Sequence, residues 1–293
     1  MMSLWQTISK HISTTTGEAF DIRQQQGVGG GCINDAQKIT DGKRSYFVKT
    51  NHLSHGDMFE AEAEGLHELA ASHTVKVPEP ICYGHEGDKC YLVLEYLQMS
   101  GSANMQQFAQ QFAAMHRISE KQFGWFRNNT IGSTPQINTQ HNDWISFWRD
   151  NRLAYQLNLA AQKGYTGELQ RLGEKLMADL PRLFSSYQPR PSMMHGDLWG
   201  GNLAALADGT PVIYDPAFYY GDREADLAMT QLFGGFGRYF YDAYNEAWPL
   251  DDGYPVRKTF YNLYHIINHL NMFGGAYHGQ AISMAEQVLS EIK

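Results

Sequence analysis

Residues 193–215 constrain this chain more than any other stretch. They read Met193-Met-His-Gly-Asp-Leu-Trp-Gly-Gly-Asn202, then, past a short hairpin whose turn is Asp208-Gly209, Val212-Ile-Tyr-Asp215. Asp197 and Asn202 share one loop, and a hairpin would return Asp215 to the same end of it. An Asp, Asn and Asp set is rich in oxygen and free of cysteine, so it suits a hard ion such as Mg²⁺ and not zinc. A carboxylate beside such an ion can take the proton of a hydroxyl group. His195 reads more simply as a core histidine that hydrogen-bonds the loop.

Two further features lie upstream. Gly27-Val-Gly-Gly-Gly-Cys-Ile-Asn34 places four glycines in five positions beside strand-like sequence. Backbone without Cβ atoms can wrap an anion and aim its N–H groups at it. The loop is not GxxxxGK[ST], which excludes a Walker-type NTPase. Cys32 sits within it, where the same N–H dipoles would stabilise a thiolate, so it is a candidate redox-sensitive thiol. Lys49 ends Tyr46-Phe-Val-Lys49, and a lysine in an apolar strand is costly unless paired. The helix expected next offers Glu60, Glu62 and Glu64.

Length and composition bound the rest. A chain of 293 residues allows one large domain or two smaller ones. Lys and Arg number 23 against 31 Asp and Glu, a formal net charge of −8, without a basic run. That disfavours nucleic acid as a partner. The three cysteines are odd in number and lack metal-ligand spacing, so a reducing, cytoplasmic setting is expected. The N-terminus has no apolar core of a secretory signal, and no run is long enough to span a membrane.

Strand-like segments at 36–40 and 45–50 flank the Asp41-Gly42 turn. A helix is expected over 58–72, a buried strand over 91–97, and a hinge over 98–104. Further helices are expected over 105–117, 143–161, 167–180, 226–233, 237–248, 256–273 and 281–293. The Asn-, Thr- and Pro-rich stretch 127–142 reads as a long irregular loop. The division is thus a smaller N-terminal part, 1–97, and a mainly helical part, 98–293.

The order of these pieces resembles the protein-kinase-like phosphotransferases: Gly-rich loop, strand Lys, helix Glu, H-x-D-x-x-x-x-N and a metal-binding Asp. HGD replaces HRD, as in aminoglycoside and choline kinases. Asp215-Pro216-Ala217 replaces DFG, and no APE segment follows. One branch is similar end to end, the fructosamine-3-kinase (ketosamine kinase) family. That resemblance rests on Gly29-Gly-Gly-Cys-Ile-Asn34, Phe47-Val-Lys49, His195-Gly-Asp-Leu-Trp-Gly-Gly-Asn202, Tyr214-Asp-Pro-Ala217, Tyr220-Gly-Asp-Arg-Glu-Ala-Asp-Leu-Ala228 and Leu232-Phe-Gly-Gly-Phe236. Gly132-Ser-Thr-Pro-Gln136 is a further family-like stretch.

The resemblance implies an α+β, two-lobe fold, with a small antiparallel-sheet N-lobe, a mainly helical C-lobe and ATP in the cleft between them. It implies that Gly29, Gly30 and Gly31 cover the phosphates and that Lys49 holds them while pairing with Glu62, Glu60 being the alternative. Backbone groups of Glu95 and Leu97 would meet adenine. Asp197 would be the base, with Asn202 and Asp215 holding Mg²⁺, and Asp226 would brace the catalytic loop. Trp199, two residues after the base, can stack on a sugar or cover an amine. His269 and Asn271 are further acceptor-site candidates. His265 and His269 lie one turn apart without an evident third ligand, so they read as packing.

The implied reaction is ATP-dependent phosphorylation of the 3-hydroxyl of ketosamines, free or as glycated protein lysines, leading to deglycation by a monomer or weak dimer. The alternatives are a choline- or aminoglycoside-like small-molecule kinase and a non-catalytic nucleotide-binding regulator.

Overall fold

The structure is a computed structural model that describes residues 2–29 and 34–292. Its contacts divide the chain into two compact units. One takes the chain up to Asn104 together with Ala204–Pro216; the other takes Met105–Leu203 and the chain from Ala217 onward.

The first unit opens with helix α1 (Leu4–Thr16). Ser3 caps it in a reciprocal capping box with Gln6, and Gly17 ends it at φ +73°. Strands β1 (Gln24–Gly27), β2 (Asp35–Thr40) and β3 (Ser45–His52) follow, then helix α2 (Gly56–Ala71) and strands β4 (Pro80–Glu86) and β5 (Lys89–Glu95). They form one antiparallel sheet in the order β1-β2-β3-β5-β4. The expected β2–β3 hairpin is present. Its turn is closed by Asp41, whose Oδ1 accepts from the Lys43 and Arg44 N–H groups.

Side chains alternate across the sheet. Tyr46, Val48, Tyr91 and Val93 point to the face covered by Ile8 and Ile12 of α1. Lys49, one residue on, points to the other face, where α2 lies and where it reaches Glu62.

The second unit begins with α3 (Met105–Arg117), at the bounds its apolar spacing predicts. Stretch 127–142 is not wholly irregular, because it carries a small hairpin, β6 (Asn129–Ile131) and β7 (Thr134–Gln136). The helix expected over 143–161 is wound in three parts: α4 (Trp144–Trp148), a π-helical stretch Arg149–Ala154, and α5 (Tyr155–Gln162). Then come α6 (Glu168–Leu183) and strand β8 (Ser192–Met194), which leads into the HGD loop.

Strands β9 (Leu203–Ala205) and β10 (Pro211–Ile213) form the expected hairpin. The division at 97/98 assigned this hairpin to the helical part, but its contacts lie with the first unit. Ile213 N–H donates to the Lys76 carbonyl at 3.0 Å, Gly101 N–H to Ala205 at 3.1 Å, and Asn104 N–H to Gly209 at 3.1 Å. The hinge stretch is tied to the hairpin in the same way: a Cβ at Gly101 would lie 1.9 Å from the Leu206 carbonyl oxygen.

Strand β11 (Tyr219–Gly221) pairs with β8. Helices α7 (Arg223–Leu232), α8 (Arg238–Ala247), α9 (Tyr254–Phe273) and α10 (His278–Glu291) complete the unit. Helix α7 starts three residues before the expected 226, because Asp222 caps it by accepting from the Glu224 N–H. Among the described residues no helix is long and apolar enough to cross a membrane.

Candidate active site

In the first unit the charged centre is Lys49. Strand β3 sets it opposite Ala36 and Leu92, and it is 6% exposed. Its Nζ lies 2.5 Å from Glu62 Oε1 and 2.5 Å from Asp215 Oδ1. Glu62, rather than Glu60, is therefore the helix partner; Glu60 accepts instead from the Tyr83 hydroxyl at 3.3 Å. Burial works against the ammonium charge, but the Asp215 and Glu62 carboxylates outweigh it, so Lys49 is raised above an ordinary lysine and stays charged.

Asp215 directly follows the residue after β10 and has φ +57°, a left-handed conformation that Asp tolerates better than most residues. Its side chain remains 48% exposed, so one oxygen holds Lys49 while the group still faces solvent.

Glu95 is the last residue of β5. Its N–H donates to the Glu79 carbonyl at 2.8 Å and its carboxylate accepts from Lys76 Nζ at 2.7 Å. Leu97 is half-buried just past the strand. Gly29 is exposed, with open space where a Cβ would be. Gly30, Gly31 and Cys32 lie outside the described residues.

In the second unit the HGD loop is held from beneath. Asp226 is buried, and its two oxygens accept from the N–H groups of His195 at 2.6 Å and Gly196 at 2.7 Å. His116 Nε2 lies 3.3 Å from the same carboxylate. Burial alone would lift this carboxyl, but the hydrogen bond and charge of His116 and the backbone donors outweigh it, and its pKa is lowered. The bracing role expected for Asp226 is thus seen directly. His195 is fully buried, and its Nδ1 accepts from the Asp197 N–H at 3.3 Å, so it is the loop-binding core histidine that its position suggested.

Asp197 is half-buried beyond that brace. Asn202 sits in a 3₁₀ turn, and its Nδ2 donates to the Asp197 carbonyl at 2.7 Å. The nitrogen end of the amide is thereby fixed inward, and the oxygen end is the one a hard cation takes. Among the described residues no cluster of three or more His, Cys, Asp or Glu could hold a metal ion. The Asn202 amide oxygen and, in the first unit, the Asp215 carboxylate are each the kind of group magnesium takes, since it uses one or two protein oxygens and fills its shell with water and phosphate oxygens.

Trp199 is 38% exposed, and its ring lies over the backbone at Gly201, where a Cβ would come within 2.3 Å of the indole. Phe233 of the Leu232-Phe-Gly-Gly-Phe236 stretch meets it edge-on at 5.9 Å. Phe233 in turn contacts the His269 ring at 5.1 Å. His269 Nδ1 lies 2.7 Å from the His265 carbonyl, which can only accept, so Nδ1 carries a proton and a neutral ring leaves Nε2 as an acceptor. Trp199 and His269 are therefore brought into one aromatic row.

Asn271 is not part of that row. It is buried, with Nδ2 donating to the Gln156 carbonyl and side chain at 2.9 and 2.8 Å. The His265 ring is buried too, with its pKa lowered by burial to about 3, and among the described residues it belongs to no cluster of three or more His, Cys, Asp or Glu that could hold a metal ion.

A fructosamine kinase family model matches residues 4–291. The probable ketoamine kinase of Synechocystis sp. is 46% identical over 289 residues, 97% of each chain. The chloroplastic protein-ribulosamine 3-kinase of Arabidopsis thaliana is 40% identical over 95% of this chain and 86% of its own. The crystal structure of a candidate fructosamine-3-kinase from Haemophilus somnus 129PT superposes with a TM-score of 0.89 at 31% identity, covering 97% of each chain. Aminoglycoside phosphotransferase APH(4)-Ia shares the protein-kinase-like fold, with a TM-score of 0.62 at 13% identity over 97% of this chain and 98% of that one. Match, identity and coverage agree over nearly the whole length, and the chain belongs to the fructosamine kinase family.

Proposed function

We propose that this chain is an ATP-dependent kinase that phosphorylates the 3-hydroxyl of ketosamines. The observation that carries phosphoryl transfer is Lys49, a buried cation fixed at 2.5 Å between the carboxylates of Glu62 and Asp215. A buried, doubly paired charge contributes little to stability for its cost, and such perturbed groups cluster at functional sites. The acceptor class rests on the family, whose Arabidopsis member is named for ribulosamine 3-phosphorylation.

In this reading Lys49 binds the phosphates of ATP, and Glu62 holds its ammonium in place. Asp197, on a loop whose backbone Asp226 fixes, accepts the proton of the acceptor hydroxyl. Trp199 and His269 receive the ketosamine. The indole face suits a sugar or its protonated amine, and His269 Nε2 suits a hydroxyl donor. Asp215 in the first unit and Asn202 in the second are the proposed magnesium ligands. Magnesium, when bound, supplies neutralisation of phosphate charge. Most of the rate is expected from positioning and charge stabilisation, as befits a loose transition state.

The test is ATP consumption measured side by side with ribulose-lysine, fructose-lysine, choline and kanamycin. Turnover with the two ketosamines and not with the others is expected. Turnover confined to choline or kanamycin would replace the acceptor class, and no turnover with any would favour a nucleotide-binding regulator.

A further inference from the structure

A buried relay of side-chain amides ends on the backbone just past Asp215-Pro216. It starts at Arg152, in the π-helical stretch, whose guanidinium is donor-only. Arg152 Nη2 donates to Asn138 Oδ1 at 2.8 Å, so Asn138 must turn its Nδ2 the other way, onto Asn129 Oδ1 at 2.8 Å. Asn129 Nδ2 then donates to the Phe218 carbonyl at 2.8 Å. From the other end, the Tyr264 hydroxyl donates to Gln136 Oε1 at 3.0 Å. That leaves both hydrogens of Gln136 Nε2 for the Ala217 carbonyl at 3.0 Å and Asn129 Oδ1 at 2.9 Å. Every amide in the relay has one permitted orientation, and two consecutive carbonyls are held as its output.

The Ala217 carbonyl is not an idle acceptor. It lies against Gly196, where a Cβ would come within 2.0 Å of its oxygen, and Gly196 has φ +84°. Asp226 holds the N–H groups of His195 and Gly196, and the Ala217 carbonyl packs so closely on Gly196 that no side chain fits there. We infer that Gln136 is a positioning residue for the catalytic loop, acting through the Ala217 carbonyl on Gly196 and hence on Asp197. The role in turnover rests on the kinase reading above; the effect on the loop does not.

Gln136→Glu keeps the shape and the bond from Tyr264 but replaces the donating NH₂, and Gln136→Leu removes both. The comparison variant is Asn268→Leu. Asn268 is a buried amide on α9 that reaches the same hairpin at the Ile131 carbonyl without touching 217–218. Two readouts are needed: kcat and KM for ATP with a ketosamine below each variant's melting temperature, and hydrogen–deuterium exchange over 195–202 in the unliganded protein. Both Gln136 variants are expected to lower kcat about tenfold or more, with the KM for ATP within about twofold, because small misplacements of reacting groups carry such penalties. They are also expected to speed exchange over 195–202, and Asn268→Leu to do neither.

Retention of kcat by both Gln136 variants, unchanged exchange over 195–202, or an equal kcat loss in Asn268→Leu would each overturn the assignment. If the wild-type protein fails to phosphorylate any ketosamine, the functional reading falls, and the exchange comparison still decides the role of Gln136.

Discussion

Asp197 and Asn202 divide the work of one loop by hydrogen-bond type. Asn202 gives its nitrogen end to the Asp197 backbone carbonyl, a bond that survives a change of the Asp197 side chain. Asp197→Asn should therefore fold and bind nucleotide as the wild type does, yet lose about two to four decades in kcat, the usual contribution of a general base. Single-turnover kinetics alongside nucleotide binding would check this, and near-normal turnover would remove Asp197 from the role.

Trp199 belongs to the same scale. Its exposure and its contacts with Phe233 and Gly201 mark a ring on the surface of its unit, not in the core. Trp199→Ala should weaken ketosamine use severalfold, as befits one stacking or cation–π contact of about 0.5–2 kcal/mol, and leave the KM for ATP little changed. A fall in melting temperature with unaltered ketosamine kinetics would instead make it packing. The Lys49–Glu62 pair and the Asp226 brace were legible in the sequence because residue type and spacing carry them. Glu62 was preferred to Glu60 because its offset to Leu66 resembles the E-x-x-x-L of related kinases, and Lys49 does pair with Glu62. Asn271 was not separable from His269, since both are polar residues late in one helix and only packing shows which side chain is enclosed.

Elements were legible where an apolar period or a turn dipeptide marked them, as for α3 and the β2–β3 hairpin. The misses have physical causes. β1 is Gln-Gln-Gln-Gly, an exposed edge strand held by ladder bonds with β2 and no apolar face. β4 begins at a proline and is the opposite edge. The β6–β7 hairpin is pinned by buried Asn and Gln side chains, which carry no hydrophobic period. The turn within 149–154 widens to a π-helix without a sequence mark, and that stretch carries Arg152.

Helix α1 does carry a signal in the sequence, the Ser3-to-Gln6 capping box. Ser3→Ala should cost about 1 kcal/mol, the usual value of a lost cap. Ile12→Ala should cost about 2–5 kcal/mol, because Ile12 is fully buried in the cluster with Val48, Tyr91 and Val93. Denaturant melts of both would rank them. A smaller loss for Ile12→Ala than for Ser3→Ala would mean that α1 adds little to the core.

At the scale of the whole chain, the first unit is discontinuous. The sequence reading ends the first part at 97, whereas its first segment runs on to Asn104, and the return of 204–216 was not readable because long-range pairing leaves no local trace. That return supplies more than a covering hairpin. Val212 and Ile213 are fully buried, Ile213 bonds the Lys76 carbonyl, and Asp215 is one of the two carboxylates on buried Lys49. A fragment ending at Asn104 would lose all three together. Its Lys49 would keep Glu62 as a balanced ion pair, so the loss falls mainly on the apolar burial of Val212 and Ile213 and on the bond to Lys76. The fragment 1–104 is therefore expected to lack a cooperative thermal transition by circular dichroism, while the full chain shows one. A sharp, cooperative melt of the fragment alone would show that the sheet, α1 and α2 suffice, and that the returning hairpin serves the site without holding the unit together.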